Sequence, residues 1–430
     1  MSGDCVITRN DRDEAIYVKV GKRMIATEYC KKVFDGTHDS PKPVENGRLL
    51  ITSKHIANRS LDISSAYLIS EEDFENVNKR SQVHQWDILF SMIGTVGNVY
   101  IETSEKIDYA IKNMGVFSCQ NKEKAYWLYY YLQSPLVQAK IDALMAGAVQ
   151  KFVPLGFLRD LDIPEYTENS KNVVQVLSAL DDKIALNKKM NQKLEAMAKR
   201  LYDYWFVQYD FPDKNGHPYK TAGGPMTYNA ILKREIPERW EVSNICPLME
   251  ILPGGTPSKA KPEYWNGDIP FFGPTDYCGD VFQLSTEEHI TENGLNNCAS
   301  ALYPPKTIFI TARGSVGKLI VCGKPMAMNQ SCYALKPFDL EKYEYLFYLT
   351  KQLIEQLKKK GSGSVFKSIN TLDIEQSFMS IAPNEIIDLY CKKVKSIFER
   401  IKNNTVEISR LTKLRDKLLP LLMNGQVTVA

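Results

Sequence analysis

The chain is short of the signatures that mark membrane proteins, metalloenzymes and nucleotide-dependent catalysts. No apolar run approaches the ~18 residues a bilayer span needs, and mean hydropathy is −0.29. The opening M-S-G-D-C-V-I-T-R-N-D-R-D-E is polar and charged, unlike a secretory signal, so a cytoplasmic location is expected. Nine cysteines are scattered without a C-x-x-C, which argues against a disulfide framework or a thiolate zinc site. Five isolated histidines without H-E-x-x-H offer no metal cluster. Neither sign of charge dominates: 54 Lys+Arg against 51 Asp+Glu leave +3. A nucleic-acid binder so nearly neutral must gather its positive charge on one face.

Catalytic motifs fail one by one. Gly314-Ser315-Val316-Gly317-Lys318-Leu319 invites a phosphate-loop reading, but position 312 is Ala and Leu follows the Lys, so the motif is broken. Neither a strand–G-x-G-x-x-G–helix unit nor G-x-S-x-G is visible. Tyr303-Pro304-Pro305-Lys306 has the wrong outer residues for the Asn/Asp-Pro-Pro-aromatic tetrad of an amino-methyltransferase. The residues describe a binder, with no cofactor of its own expected.

What is present is a duplication. At 430 residues, with 44% hydrophobic and 24% charged, the chain has material for two to four domains. Ile88-Leu89-Phe90-Ser91-Met92-Ile93-Gly94-Thr95-Val96-Gly97-Asn98 reads against Ile308-Phe309-Ile310-Thr311-Ala312-Arg313-Gly314-Ser315-Val316-Gly317-Lys318, an offset of 220. E-K-A-Y-W-L-Y-Y-Y-L at 123–132 answers E-K-Y-E-Y-L-F-Y-L-T at 341–350, A-G-A-V-Q-K at 146–151 answers S-G-S-V-F-K at 362–367, and Asp35-Gly36-Thr37 answers Gly254-Gly255-Thr256. Four matches in one order at nearly constant offset mark two copies of one unit.

Each copy has two parts. Residues 16–165 and 236–383 carry short apolar runs broken by Gly, Pro, Asn and Asp, together with one aromatic-rich helical stretch (123–145 and 341–360). That is a mixed α/β domain, twice. A long segment without Pro or Gly follows the first, with an apolar seam at Leu177, Leu180, Ile184, Asn187, Asn191, Leu194, Ala198, Leu201 and Trp205. The second follows with Val394, Ile397, Ile401, Asn404, Ile408, Leu411, Arg415, Leu418 and Leu422. Steps of three and four make these heptad seams, and two matched seams in one chain suggest helices that pair with each other. The expected division is 1–165 first domain, 166–210 first long helix, 211–235 a Pro/Gly-rich connector, 236–383 second domain and 384–425 second long helix.

Trp240 with Asn266-Gly267-Asp268-Ile269-Pro270, Ile308-Phe309-Ile310 leading into Arg313-Gly314-Ser315-Val316-Gly317, and Asp87-Ile88-Leu89-Phe90 leading into Gly94-Thr95-Val96-Gly97 form an ordered, duplicated set. With Gln150-Lys151-Phe152 and the terminal Leu418-Leu419-Pro420-Leu421-Leu422-Met423-Asn424-Gly425, this set resembles the DNA-specificity subunits of type I restriction-modification enzymes over nearly the whole chain. The first copy departs by having Asn46-Gly47-Arg48-Leu49-Leu50-Ile51 in place of Trp-x-Gly-x-Ile-Pro. The resemblance implies two tandem α+β target-recognition domains, each reading one half of a split DNA sequence. It also implies that the long helices form an antiparallel coiled coil that spaces the domains. The chain would be non-catalytic by itself, with double-stranded DNA, two methylation subunits and restriction subunits as partners. Methyl donor and ATP would bind those partners.

Candidate DNA-facing residues in the first domain are Thr37, His38, Lys42, Lys54, His55, Arg59, Gln150 and Lys151. In the second they are Thr256, Ser258, Lys259, Lys261, Thr275, Asp276, Tyr277, Arg313, Ser364 and Lys367. Lys54 with Thr275, and Lys151 with Lys367, hold corresponding places in the two copies. Tyr202, Tyr204, Trp205 and Phe206 close the first long helix as anchors for a partner subunit, or as packing against the adjoining domain. Asn187 and Asn404, equivalent at an offset of 217 and midway along their helices, are expected to meet at the centre of an antiparallel pair and fix its register. Two other readings stay open: a self-contained nuclease or methyltransferase, and a coiled-coil scaffold with two protein-binding heads.

Overall fold

A computed structural model describes residues 5–9, 15–19, 22–57, 59–146, 151–360 and 368–429. They fall into two compact units, one of Met1–Lys183 with Leu411–Ala430, the other of Ile184–Arg410.

In the first unit a four-stranded antiparallel sheet runs in the order Val99–Ile101, Asp87–Ser91, Met114–Ser118, Lys32–Asp35. Asp87–Ser91 is buried along its whole length because both of its faces are covered. Ile88 and Phe90 point into a core shared with the helix Lys122–Leu132, including Leu128, Tyr129 and Tyr130. Leu89 points the other way, into a cluster with Ile51 and Ile111. Those two residues belong to a three-stranded sheet ordered Tyr109–Lys112, Arg48–Thr52, Tyr67–Ile69, the first pair parallel and the second antiparallel.

The second unit repeats this plan. Met249–Pro253, Cys332–Pro337, Ile308–Thr311 and Leu319–Cys322 form the antiparallel sheet, extended by the parallel strand Phe282–Gln283. Ile308 and Ile310 enter the large core, while Phe309 faces Phe272 and Met328. Ala327–Met328 pairs parallel to Trp265–Phe272, which pairs antiparallel to His289–Ile290. The Asn46-Gly47-Arg48 segment of the first copy thus occupies the place of Asn266-Gly267-Asp268. Both glycines are pressed against a neighbouring backbone: a Cβ would lie 2.0 Å from the Ile69 carbonyl oxygen at Gly47, and 2.5 Å from that of Ile290 at Gly267.

The connector is more ordered than a Pro/Gly-rich stretch suggests. Phe211 stacks on Tyr219 and Trp240 at ring separations of 4.6 and 5.5 Å, and Met226–Asn229 pairs with Arg234–Pro237. Three aromatic rings supply the apolar area that its prolines and glycines do not.

The two long helices are α1 (Glu168–Tyr202, 35 residues) and α2 (Asn384–Met423, 40 residues). A five-residue π-helical turn, Asp203–Val207, continues α1. Seam positions Leu177, Ile184, Asn187, Asn191, Ala198, Val394, Ile401, Asn404, Ile408 and Arg415 are all buried. Within the second unit Asn187 Nδ2 donates to Glu407 Oε2 (2.9 Å), Asn404 Nδ2 to Asn191 Oδ1 (2.9 Å), and the Tyr390 hydroxyl to the Ala198 carbonyl (3.0 Å). Partner numbers fall on α2 as they rise on α1, so these segments run antiparallel. The expected Asn187–Asn404 pairing is corrected by one turn: Asn404 meets Asn191, and Asn187 meets Glu407. Among the described residues no helix is long and apolar enough to cross a membrane.

Candidate nucleic-acid interface

In each unit the loops at one end of the central sheet are knitted together. In the first unit they follow strands Lys32–Asp35, Arg48–Thr52 and Asp87–Ser91 and precede Met114–Ser118. Asn113 N donates to the Thr37 carbonyl (3.1 Å), Ser53 Oγ to the Asn113 carbonyl (3.1 Å) and Thr95 Oγ1 to the Ser53 carbonyl (3.1 Å). His38 Nδ1 lies 2.9 Å from Asn113 Oδ1. Thr37, His38, Ser53, Thr95 and Asn113 therefore converge, with Lys54 exposed beside them on the 3-10 turn Ser53–His55. Lys151 is exposed next to Phe152, which bridges to Ile93 just before the Gly94–Gly97 turn.

The second unit has the same convergence. Gly254 N donates to the Cys332 carbonyl (3.2 Å), Asn329 N to that of Phe272 (2.9 Å) and Arg313 N to that of Ser331 (3.2 Å). Thr256 Oγ1 donates to Gln330 Oε1. Arg313 and Thr275 are exposed, and the Lys318 ammonium lies 5.1 Å from the centre of the Tyr277 ring. Burial raises the Tyr277 hydroxyl pKa, helped by Glu195, so it remains a neutral donor.

The duplicated turns match in conformation. Gly94, Gly97, Gly314 and Gly317 have φ of 77°, 89°, 76° and 81°, a left-handed backbone that favours glycine. Gly97 N donates to the Ser91 carbonyl and Gly317 N to that of Thr311, at 3.1 and 2.8 Å. The turn therefore repeats for a backbone reason, which is why glycine recurs while Asn98 and Lys318 differ.

Several expected contacts take other places. His55 is 1% exposed and its Nδ1 accepts from Thr52 N at 2.8 Å, so it closes its own turn and has no surface to offer. Arg59 points to carboxylates on the long helices, Asp181 at 3.8 Å and Asp416 at 3.3 Å. Asp276 accepts from Gly273 N and Glu287 N, both at 2.8 Å, and shapes the loop. Lys259 pairs with Glu288 (2.7 Å) and Lys261 donates to the Tyr264 hydroxyl (2.9 Å). Lys42 and Ser258 are exposed. Gln150, Ser364 and Lys367 lie outside the described residues. Of the four aromatics closing α1, Tyr202, Trp205 and Phe206 are buried in the second unit's core, which removes them as exposed anchors, and only Tyr204 is exposed. Their rings satisfy each other: Phe206 lies 4.8 Å from Tyr345, 5.0 Å from Tyr202 and 5.2 Å from Tyr390. Asn113, Thr95, Gln330 and Lys318 are members of the two loop clusters that sequence reasoning did not single out. The polar Asn-Gln-Ser triplet at 329–331, set between two strands, was the available signal for Gln330.

The match to known proteins covers both units. Residues 43–196 and again 237–415 match the type I restriction modification DNA specificity domain. The chain belongs to the family of type I restriction-modification DNA-specificity subunits, proteins of DNA target recognition. It is 28% identical over 316 residues to the type I restriction enzyme HindI specificity subunit of Haemophilus influenzae, covering 62% of this chain and 69% of that one. It is 27% identical over 308 residues to the MjaIX specificity subunit of Methanocaldococcus jannaschii, covering 70% and 69%. The crystal structure of a type I restriction-modification S subunit from M. genitalium matches with a TM-score of 0.51 over 94% of this chain and 96% of that one, at 14% identity, a likeness of fold.

Proposed function

We propose that this chain reads a bipartite DNA target, one half with each loop cluster, and directs adenine methylation and restriction by partner subunits. The observation that carries this reading is the second loop cluster: the same turns at the same end of the same sheet, on different surface residues. Phosphate contacts from Lys54, Lys151, Arg313 and Lys318 would set the position of each domain on the duplex. Side chains such as Gln330 and Asn113, which can pair with base edges, would set sequence preference. Paired as an antiparallel coiled coil, α1 and α2 would act as a spacer, since half-sites are read about one helical turn apart. Two similar outer helix surfaces would take two methylation subunits. On this reading the chain is non-catalytic by itself, and methyl donor and ATP bind the methylation and restriction subunits in the cytoplasm.

Methylome sequencing of a host carrying the intact system tests this directly. A split motif is expected, and replacing 236–383 by the corresponding domain of a relative should change one half only. A continuous motif, or a swap that changes both halves, would refute two independent readers. A native mass with one methylation subunit per chain would refute the two-sided assembly.

A further inference from the structure

Arg59 was expected among the DNA-facing residues, with Lys54 and His55 after a strand. Its surroundings give it a different task. Its backbone has φ of 60°, a left-handed conformation uncommon for residues other than glycine. The guanidinium turns inward and is 19% exposed, with Nη2 3.3 Å from Asp416 Oδ1 and Nη1 3.8 Å from Asp181 Oδ2. Both carboxylates are on the long helices. Arg415 completes the group, with Nη1 2.6 Å from Asp181 Oδ1 and Nη2 2.9 Å from Asp416 Oδ1. The Tyr130 hydroxyl donates to Asp181 Oδ2 at 2.8 Å. Two cations and two anions balance, so the cluster leaves no net charge beside the loops.

From Arg59 the contacts lead straight to the candidate interface. Ser60–Leu61 pairs with Ile56–Ala57. The Ile56 carbonyl accepts from Asn98 Nδ2 at 3.0 Å, at the end of the Gly94–Gly97 turn, and the Ser53 carbonyl accepts from Thr95 Oγ1 at 3.1 Å. The hairpin that carries Arg59 is thus tied to the Gly94–Gly97 turn through Ile56, and that turn is tied through Thr95 to the turn that presents Lys54.

We propose that Arg59 is a positioning residue for target recognition, clasping the recognition turns of the first domain to α1 and α2 through Asp416 and Asp181. The helices then dictate where Lys54 and the Gly94–Gly97 turn meet DNA, and Arg59 itself touches no phosphate. The proposal rests on the reading of this chain as a DNA reader.

The test uses the full chain assembled with its methylation subunits and a duplex carrying the motif found by methylome sequencing. Affinity is measured across a salt series for the unaltered assembly, Arg59→Ala, Arg59→Lys, Asp416→Asn and the double variant Arg59→Ala/Asp416→Asn. Arg59→Ala should weaken binding by roughly tenfold, the size of one coupling between neighbouring residues, with the slope against salt unchanged. Discrimination should fall at one half-site only. Asp416→Asn, a change at a half-exposed helix position, should weaken binding in the same direction, and the double variant should be no worse than Arg59→Ala. Arg59→Lys should recover part of the loss by reaching one carboxylate. A direct phosphate contact behaves differently: the salt slope falls by about one and Asp416→Asn leaves binding unchanged or tighter. That result, or full affinity in Arg59→Ala, would overturn the proposal. No duplex retained by the unaltered assembly would overturn the DNA-reading function itself, and the clasp with it.

Discussion

The two units solve one packing problem with opposite chemistry. In the first, Asp181 of α1 faces Arg415 of α2 across a 2.6 Å ion pair, with Arg59 and Asp416 alongside. An offset of 217 relates Asp181 to Phe398 and Arg415 to Ala198 in the second unit. There the Phe398 ring lies 5.7 to 6.3 Å from Tyr343, Phe347, Tyr348 and Phe282, and Ala198 offers only its carbonyl, to Tyr390. A buried ion pair contributes little net stability but is costly to break by halves, while an aromatic cluster stabilises through area and shape. The two copies keep one backbone plan while equivalent positions on the long helices carry different chemistry, an ion-paired cluster in the first unit and an aromatic one in the second.

The largest expected effect falls on the aromatic side. Phe206→Ala should destabilise the second unit by about 4 kcal/mol, the range for a buried aromatic cut to alanine. Denaturant unfolding, with hydrogen exchange resolving 184–410 from the rest, measures it. Next is Arg415→Ala, which removes the 2.6 Å partner of Asp181, leaves it the Tyr130 hydroxyl and the more distant Arg59, and should cost the first unit about 2 kcal/mol. The comparison sharpens if Asp181→Phe is added: transplanting the second unit's pair should restore much of that loss. If the double variant is the less stable of the two, these helix positions are not interchangeable between the units.

Acid–base behaviour separates the units as well. Burial pushes Glu344, in the first turn of helix Tyr343–Lys360, up to about 7 from 4.5; its counterpart in the first copy is Tyr126. The folded unit therefore holds this proton more tightly than the unfolded chain does. That contribution to stability is complete below about 4.5 and is lost as pH rises through about 7. Stability of the second unit should fall across that window, and Glu344→Gln should flatten the fall.

Two smaller effects close the series. Lys54→Ala and Lys318→Ala, one in each loop cluster, should each lower the salt slope of DNA binding by about one. A change in only one variant would mean that the two clusters meet DNA differently. Asn191→Leu with Asn404→Leu should be neutral or stabilising by about 1 kcal/mol, because both partners of the bond leave together. Hydrogen exchange along α1 should then report a less uniquely registered pair.

The sequence by itself determined the duplication, the two mixed α/β units, the Gly-x-Val-Gly turns and the long seamed helices. Those features are periodic or depend on the backbone: heptad spacing, strand-length apolar runs and left-handed glycines are visible in one dimension. Only the tertiary structure decided which polar residues are free to act. His55 and Arg59 look like ligands in a string of letters, but one is shut inside its own turn and the other is spent on carboxylates more than a hundred positions away. Asn113 and Gln330 look like ordinary turn residues until the sheet brings them beside Thr37 and Thr256. The one-turn shift that pairs Asn404 with Asn191 likewise depends on how two helices settle against each other, since a heptad repeat fixes which side of a helix is buried but not how far it slides.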